Sequence, residues 1–176
     1  MILLESEDSF LLSSIFNILN QKNYYFTLKK DDNYFSTLNI SSKNKKLCLN
    51  ANSKKNTIEL PITTNNLISN INKLFKDLKL EYFGLEFFPF KQSLKFNGKE
   101  AHLGNIHYII LSQILLNSPN GLNKTYLYKL MWPLDKNYQI NKLDTHLTNL
   151  KNYLKEKLDF NLDITTSSGL INLRVD

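Results

Sequence analysis

The sequence contains few residues of several types, and each shortage excludes a class of protein. Among 176 residues there are one cysteine, five glycines and four prolines. Because Cys48 has no second cysteine to pair with, an intramolecular disulfide framework and a cysteine-rich zinc site are excluded. No apolar run approaches the roughly 18 residues that a membrane-spanning helix needs. Acidic residues in the opening MILLESEDSF stand where a secretory signal requires positive charge. We therefore expect a cytoplasmic globular protein that does not associate with membranes.

Arginine is nearly absent, although the chain is basic. Arg174 is the single arginine among 22 basic residues, and asparagine occurs 24 times. The formal net charge of +6 favours an anionic partner such as nucleic acid. Residues 1–80 contain 11 basic and 7 acidic residues, whereas residues 81–176 contain 11 and 9. The positive charge is therefore not concentrated in the C-terminal half.

The first 80 residues alternate between strand-like and helix-like patterns, which predicts a small α/β domain with a mostly parallel sheet. The predicted strands are Ile2-Leu3-Leu4, the aromatic stretch from Tyr24 to Leu28, residues 46–50 and residues 57–60. The predicted helices are one capped by Asp8 or Ser9, a short one capped by Asp31 or Asp32 and containing Tyr34, Phe35 and Leu38, and one capped by Thr63 or Thr64.

From residue 80 onward the pattern changes to that of an α+β domain. Residues 80–103 alternate as in an antiparallel sheet, and Asn97-Gly98 predicts a hairpin turn. Helices are predicted from Ile106 to just before Pro119, over residues 124–132 and over Ile140–Leu158, and a hairpin over residues 162–174. Strand pairs, three helices and a final hairpin form the plan of a winged helix-turn-helix.

The predicted helix Ile140–Leu158 has two chemically different faces. At about 100° per residue, one narrow stripe is apolar. That stripe consists of Ile140, Leu143, Leu147, Leu150, Leu154 and Leu158. The opposite face carries Asn141, Lys142, Thr145, Thr148, Asn149 and Asn152. A helix that enters the DNA major groove needs this division, because the stripe anchors it while short polar side chains meet base edges.

Four segments of the C-terminal half resemble the OmpR/PhoB family of response regulators, in which a receiver domain precedes a winged-helix DNA-binding domain. They are LKFNGK at 94–99, NSPNG at 117–121, LMW at 130–132 and KLDTHLTNLK at 142–151, the last being similar to the family's T-V-D-V-H-I-x-R-L-R recognition helix. The resemblance implies a degenerate receiver-like dimerisation domain over residues 1–79 and a winged-helix domain over residues 80–176. It implies a transcriptional regulator that binds promoter DNA as a homodimer.

The residues that a receiver needs for phosphorylation are missing. The magnesium-binding acidic pair falls on Ser6 and Glu7, and the phosphoacceptor region around Asn50 and Asn52 contains no aspartate. Leu60 stands at the position of the phosphate-binding lysine. We therefore expect an orphan regulator that is independent of phosphorylation, has no cofactor or bound metal, and is not an enzyme.

The resemblance also implies specific contacts with partners. The region from Thr57 to Leu78 corresponds to the family's usual dimerisation surface, and residues 133–139 lie where members of the family can contact RNA polymerase. Asn149 stands where the family often has a base-reading arginine, and because an amide pairs with adenine, we expect an A+T-biased site. Thr145 and Asn152 would read bases beside it. The alternative is that Asn149 is one more solvated side chain in an asparagine-rich protein.

Phosphate contacts are expected from polar side chains of the last two predicted helices and of the hairpin turn. These are Lys124, Thr125, Asn141, Lys142, His146, Thr148, Lys151, Ser167 and Ser168.

The alternative function is an adaptor that does not bind DNA and uses its winged helix for protein contacts. The modest charge of residues 81–176 favours it, as does the turn sequence TSSG, which lacks the arginine that the family often places there. Salt dependence separates the two functions, because DNA binding weakens steeply with salt through counterion release.

Overall fold

The structure is a computed structural model, and it describes residues 1–21, 26–30, 33–118, 120–135 and 137–174. It is an α/β protein with five α-helices, one mixed sheet and two antiparallel sheets in the described part of the chain. The chain divides into two compact units, Met1–Asp77 and Leu78–Asp176, and the predicted boundary at 79/80 falls two residues from this division. None of the described helices is both long enough and apolar enough to cross a membrane.

The first unit combines a five-stranded sheet with two helices. Its elements are β1 (Ile2–Glu5), α1 (Ser9–Gln21), β2 (Phe26–Thr27), β3 (Ser36–Lys43), β4 (Lys46–Ala51), β5 (Lys54–Glu59) and α2 (Thr64–Phe75). The strand order is β2-β1-β3-β4-β5. Helix α1 packs against β1 to β3, and α2 packs against β4 and β5.

The sheet of the first unit is mixed, so the prediction of a mostly parallel sheet is wrong. Strand β1 pairs in parallel with β2 and β3, but β3, β4 and β5 pair antiparallel. The reason lies in the connections, which are tight turns rather than crossover helices. Asn44 and Lys45 have φ of 52° and 58°, as a two-residue hairpin turn requires, and Asn52 has φ of 53° in the next turn.

The predicted short helix containing Tyr34, Phe35 and Leu38 is also wrong. Strand β3 begins at Ser36, and its buried Leu38 and Ile40 alternate with exposed Asn39. Pairing with β1 on one side and β4 on the other stabilises the extended backbone here. The proposed cap at Asp31 or Asp32 and the start of the stretch at Tyr24 lie outside the described residues.

The other helix starts in this unit follow the sequence. The Asp8 carboxylate accepts the Leu11 amide at 3.0 Å, and the Thr63 hydroxyl accepts the Asn66 amide at 3.3 Å. Of the two candidate caps at each helix, Asp8 and Thr63 are therefore the residues that cap α1 and α2.

The second unit contains two antiparallel sheets and three helices. Its elements are β6 (Leu80–Tyr82), β7 (Leu85–Phe88), a 3-10 helix (Pro89–Lys91), β8 (Ser93–Phe96), β9 (Lys99–His102), α3 (Asn105–Asn117), β10 (Leu122–Asn123), α4 (Lys124–Met131), α5 (Ile140–Leu158), β11 (Ile164–Ser167) and β12 (Leu170–Leu173). One sheet has the order β6-β7-β8-β9, and the other has the order β10-β12-β11.

The predicted elements of this unit are confirmed. Asn97 and Gly98 join β8 to β9 with φ of 47° and 77°, as expected of a two-residue hairpin turn. Helix α5 has the predicted bounds, and the terminal hairpin turns at Ser168 and Gly169. Helix α3 packs against both α4 and α5. Pro119, predicted to end α3, lies outside the described residues.

Candidate nucleic-acid interface

Helix α5 separates its apolar and polar side chains as predicted. Leu143, Leu147, Leu150, Leu154 and Leu158 are buried, and the side chain of Ile140 lies outside the described set. The opposite face is exposed at Asn141, Thr145, Thr148, Asn149 and Asn152. This face therefore presents amides and hydroxyls, the groups that hydrogen-bond base edges and phosphates.

The three predicted base readers lie on this one exposed face. The Thr145 hydroxyl donates to the Asn141 carbonyl at 2.8 Å, which leaves its oxygen lone pairs for an external donor. Asn149 and Asn152 are exposed, and they follow Thr145 by about one and two helical turns.

Lys124 differs from the other predicted phosphate contacts because it is buried. Only 6% of the residue is exposed, and its ammonium lies 2.5 Å from a carboxylate oxygen of Asp144 on α5. Its backbone amide donates to the Gly169 carbonyl in the β11–β12 turn at 2.9 Å. The Tyr126 amide is engaged as well, donating to the capping Asn123 side chain at 3.0 Å. Lys124 therefore faces the protein interior, while its neighbour Thr125 is exposed.

Lys142 and Lys151 lie at the edges of the exposed face and contact other parts of the protein. The Lys142 ammonium lies 4.1 Å from the ring centroid of Trp132 and 3.6 Å from the Asp135 carboxylate. The Lys151 ammonium donates to the Ile164 carbonyl at 2.7 Å, which connects α5 to β11. Both side chains are half-buried, so reaching a phosphate requires them to exchange these partners.

His146 lies on the flank of α5, with its ring centroid 5.6 Å from that of Trp132. His107 on α3 stacks at 5.8 Å against Tyr153 of α5. Burial lowers the pKa of His107, and the positive charge of His146 lowers it further. His146 therefore lies close enough to lower the pKa of His107 where α3 meets α5.

The turn between β11 and β12 presents Ser167 and Ser168 to solvent. Ser168 and Gly169 have φ of 50° and 77°, and no atom lies within 4 Å of a Cβ placed on Gly169. The exposed tip thus carries hydroxyls and open backbone but no cation.

A buried tyrosine holds the start of the segment between α4 and α5. The Tyr128 hydroxyl donates to the Asp135 carboxylate at 2.6 Å, and the Asn137 amide reaches the same carboxylate at 3.2 Å. Burial raises the pKa of Tyr128, which keeps its proton available for this bond. The hydrogen bond from Tyr128 lowers the pKa of Asp135. Leu134, in the same segment, is 92% exposed.

Two functional candidates were missed from the sequence. Lys155 is exposed on α5 three residues beyond Asn152, and 100° stepping places it on the flank, between Lys151 and Thr148. Asp144 lies in the segment 142–151, and its pairing with Lys124 depends on the approach of α4 to α5. No local sequence signal could have shown that pairing.

The receiver-like positions of the first unit meet in a cleft of about 660 Å³ beyond the carboxyl end of β1. Ser6, Glu7 and Asn50 all line it, as does the ion pair of Glu5 with Lys30 at 2.9 Å. Asn52 lies in the turn after β4, where its side-chain oxygen accepts the Ser36 hydroxyl at 2.9 Å. Three of the positions that the resemblance assigns to a phosphorylation site, Ser6, Glu7 and Asn50, are thus neighbours, whereas Asn52 lies apart from them. The aspartate that lines the cleft is Asp8, whose carboxylate caps α1.

The described residues bring together no group of three or more histidine, cysteine, aspartate or glutamate side chains that could hold a metal ion.

In comparisons with known proteins, no family model matches the chain, and no curated protein matches it.

Proposed function

We propose that this protein is a DNA-binding transcriptional regulator of the OmpR/PhoB kind, in which α4 and α5 form a helix-turn-helix and the β11–β12 hairpin forms the wing. One observation carries the proposal: α5 is buried along its leucines and exposed along its asparagines and threonines. The exposed hairpin turn with Ser167 and Ser168 adds support, since a wing meets the backbone of neighbouring DNA.

In this proposal α5 lies in the major groove and reads bases through short polar side chains. Asn149 is the main reader, because an amide pairs in bidentate fashion with adenine, and Thr145 and Asn152 assist it. The phosphate contacts come from the exposed or flanking side chains Thr125, Asn141, Lys142, His146, Thr148, Lys151, Lys155, Ser167 and Ser168. Lys124 is left out of this set because its ammonium is buried against Asp144.

The first unit would act as a receiver-like dimerisation domain in the cytoplasm that needs no phosphorylation. The cleft that contains Ser6, Glu7 and Asn50 supports this, because an asparagine stands where the resemblance places the phosphoacceptor, and the aspartate that lines the cleft, Asp8, caps α1. Dimerisation through β5 and α2, within the region from Thr57 to Leu78, would place two α5 helices in successive major grooves about one helical turn apart. Leu134 would be available to RNA polymerase in the segment 133–139.

The test is fluorescence anisotropy of the purified protein on promoter and random duplexes over a series of salt concentrations. Wild-type protein should prefer A+T-rich promoter duplexes and bind more weakly as salt rises. Asn149→Ala should reduce that preference, costing about 1–3 kcal/mol on the preferred duplex. Asn161→Ala, an exposed asparagine beyond α5, is the matched control and should bind as wild type does. Failure of folded wild-type protein to bind any duplex at low salt would reject the regulator.

The adaptor is the second candidate, and exposed apolar side chains favour it. Tyr126 and Leu130 on α4 are 47% and 40% exposed, and Leu134 follows close by in the sequence. A protein partner held by this apolar surface would bind with little dependence on salt, in contrast to DNA.

A further inference from the structure

Lys124 joins three parts of the proposed DNA-binding domain at one point. It is the first residue of α4, its ammonium pairs with Asp144 of α5 at 2.5 Å, and its amide donates to Gly169 of the hairpin turn at 2.9 Å. Strand pairing continues the connection, because Asn123 lies opposite Leu170 in the sheet. One residue therefore contacts both elements that would touch DNA.

The burial of Lys124 makes this connection unusual. In the described part of the chain, Lys124 is the one charged residue that is buried, and its side chain is 8% exposed. A buried ammonium needs a charged partner, because leaving it unpaired out of water is strongly unfavourable. Asp144 supplies that partner from a side chain that is 47% exposed. The pair therefore favours one placement of α5 relative to the start of α4 and the hairpin turn.

We propose that Lys124 and Asp144 are positioning residues that hold α5 and the β11–β12 turn in the arrangement that fits DNA. This inference rests on the proposed function, since it concerns how that function is achieved. Lys124 contacts no phosphate, and Asp144 supports binding although it places a negative charge on the DNA-reading helix.

Removing the positive charge of Lys124 and removing the negative charge of Asp144 would change DNA affinity in opposite directions if charge alone mattered. Fluorescence anisotropy over a series of salt concentrations therefore tests the proposal. Lys124→Met should weaken DNA binding by about tenfold, which is the size of effect expected of a residue that acts through a neighbour. It should not change the slope of affinity against salt concentration, because no phosphate contact is lost. Asp144→Asn removes a negative charge, and by charge alone this change would strengthen DNA binding. We expect it to weaken DNA binding instead, because Lys124 loses its partner. Lys124→Arg keeps the charge and should restore most of the affinity.

The matched control is Glu156→Gln, which removes a negative charge from an exposed position on the same helix. It should leave DNA affinity unchanged or raise it. If Lys124→Met lowers the salt slope by about one and Asp144→Asn tightens binding, Lys124 is a phosphate contact and the proposal is overturned.

A second measurement does not depend on DNA. Urea unfolding of Lys124→Met, Asp144→Asn and the double variant forms a double-mutant cycle. Each single variant should lower the unfolding midpoint, and the double variant should lower it by less than the two combined. Additive effects would overturn the link between the two residues. If wild-type protein binds no DNA, the regulator and the role of the pair in DNA binding both fail, while the cycle still decides whether the pair connects α4 to α5.

Discussion

At the scale of single residues, the hydrogen bond from Tyr128 to Asp135 predicts how stability changes with pH. Because the pKa of Asp135 is lowered from its ordinary value of 3.8, the ionised carboxylate stabilises the folded state. That contribution is present above pH 3.8 and is lost as the pH falls through the folded-state pKa. Wild-type protein should therefore lose more stability on acidification than Asp135→Asn.

Urea unfolding at about pH 6 and about pH 3 measures this difference. Tyr128→Phe is the companion variant, because it removes the donor but leaves the carboxylate in place. Like Asp135→Asn, it should lose less stability on acidification than wild-type protein does. Unchanged pH dependence in both variants would show that this bond does not contribute.

At the scale of elements, adjacent residues on α5 should have separate roles. Leu150 is fully buried and Asn149 is exposed. We expect Leu150→Ala to lower the free energy of unfolding by about 2–5 kcal/mol, because it leaves a cavity in the core. Asn149→Ala should change it by less than about 0.5 kcal/mol. Urea unfolding monitored by circular dichroism distinguishes the two, and a large loss in Asn149→Ala would place that side chain in the packing rather than in base reading.

The sequence predicts some elements better than others, and α5 and β3 show why. Ile140 and the leucines that follow it repeat at helical spacing along the 19 residues of α5, so the pattern is long enough to define both the helix and its buried face. Around Leu38 the apolar residues are few, and their spacing predicts a helix. There, pairing with β1 and β4 determines the strand, and those partners lie outside the window that a pattern can cover.

At the scale of the whole molecule, the proposed regulator must dimerise, and the outer face of α2 offers a specific test. Ile68 lines a shallow groove of about 410 Å³ there, together with Ser69 and Lys73. Ile68→Lys should convert a dimer to a monomer, because it places a charge in the middle of the proposed interface. Size-exclusion chromatography with light scattering measures the mass directly.

Asn17→Lys adds the same charge at an exposed position of α1 and should leave the dimer intact. If wild-type protein is a dimer and Ile68→Lys remains one, the interface lies elsewhere. The monomeric variant should also bind a full DNA site more weakly than wild type, because only one α5 helix then engages.

The sequence by itself determined two helix starts to within one residue (Asp8 or Ser9, and Thr63 or Thr64), the turn at Asn97-Gly98, and the bounds and faces of α5. These features depend on backbone hydrogen bonds and dihedral angles within a few residues, so local patterns carry them. Only the tertiary structure decided that β3 is a strand in a mixed sheet and that Lys124 is buried. Strand β3 pairs with a strand from the start of the chain, and Lys124 meets Asp144 and Gly169, which lie far along the sequence. Because pairing and burial depend on which distant groups come together in space, no local pattern contains them.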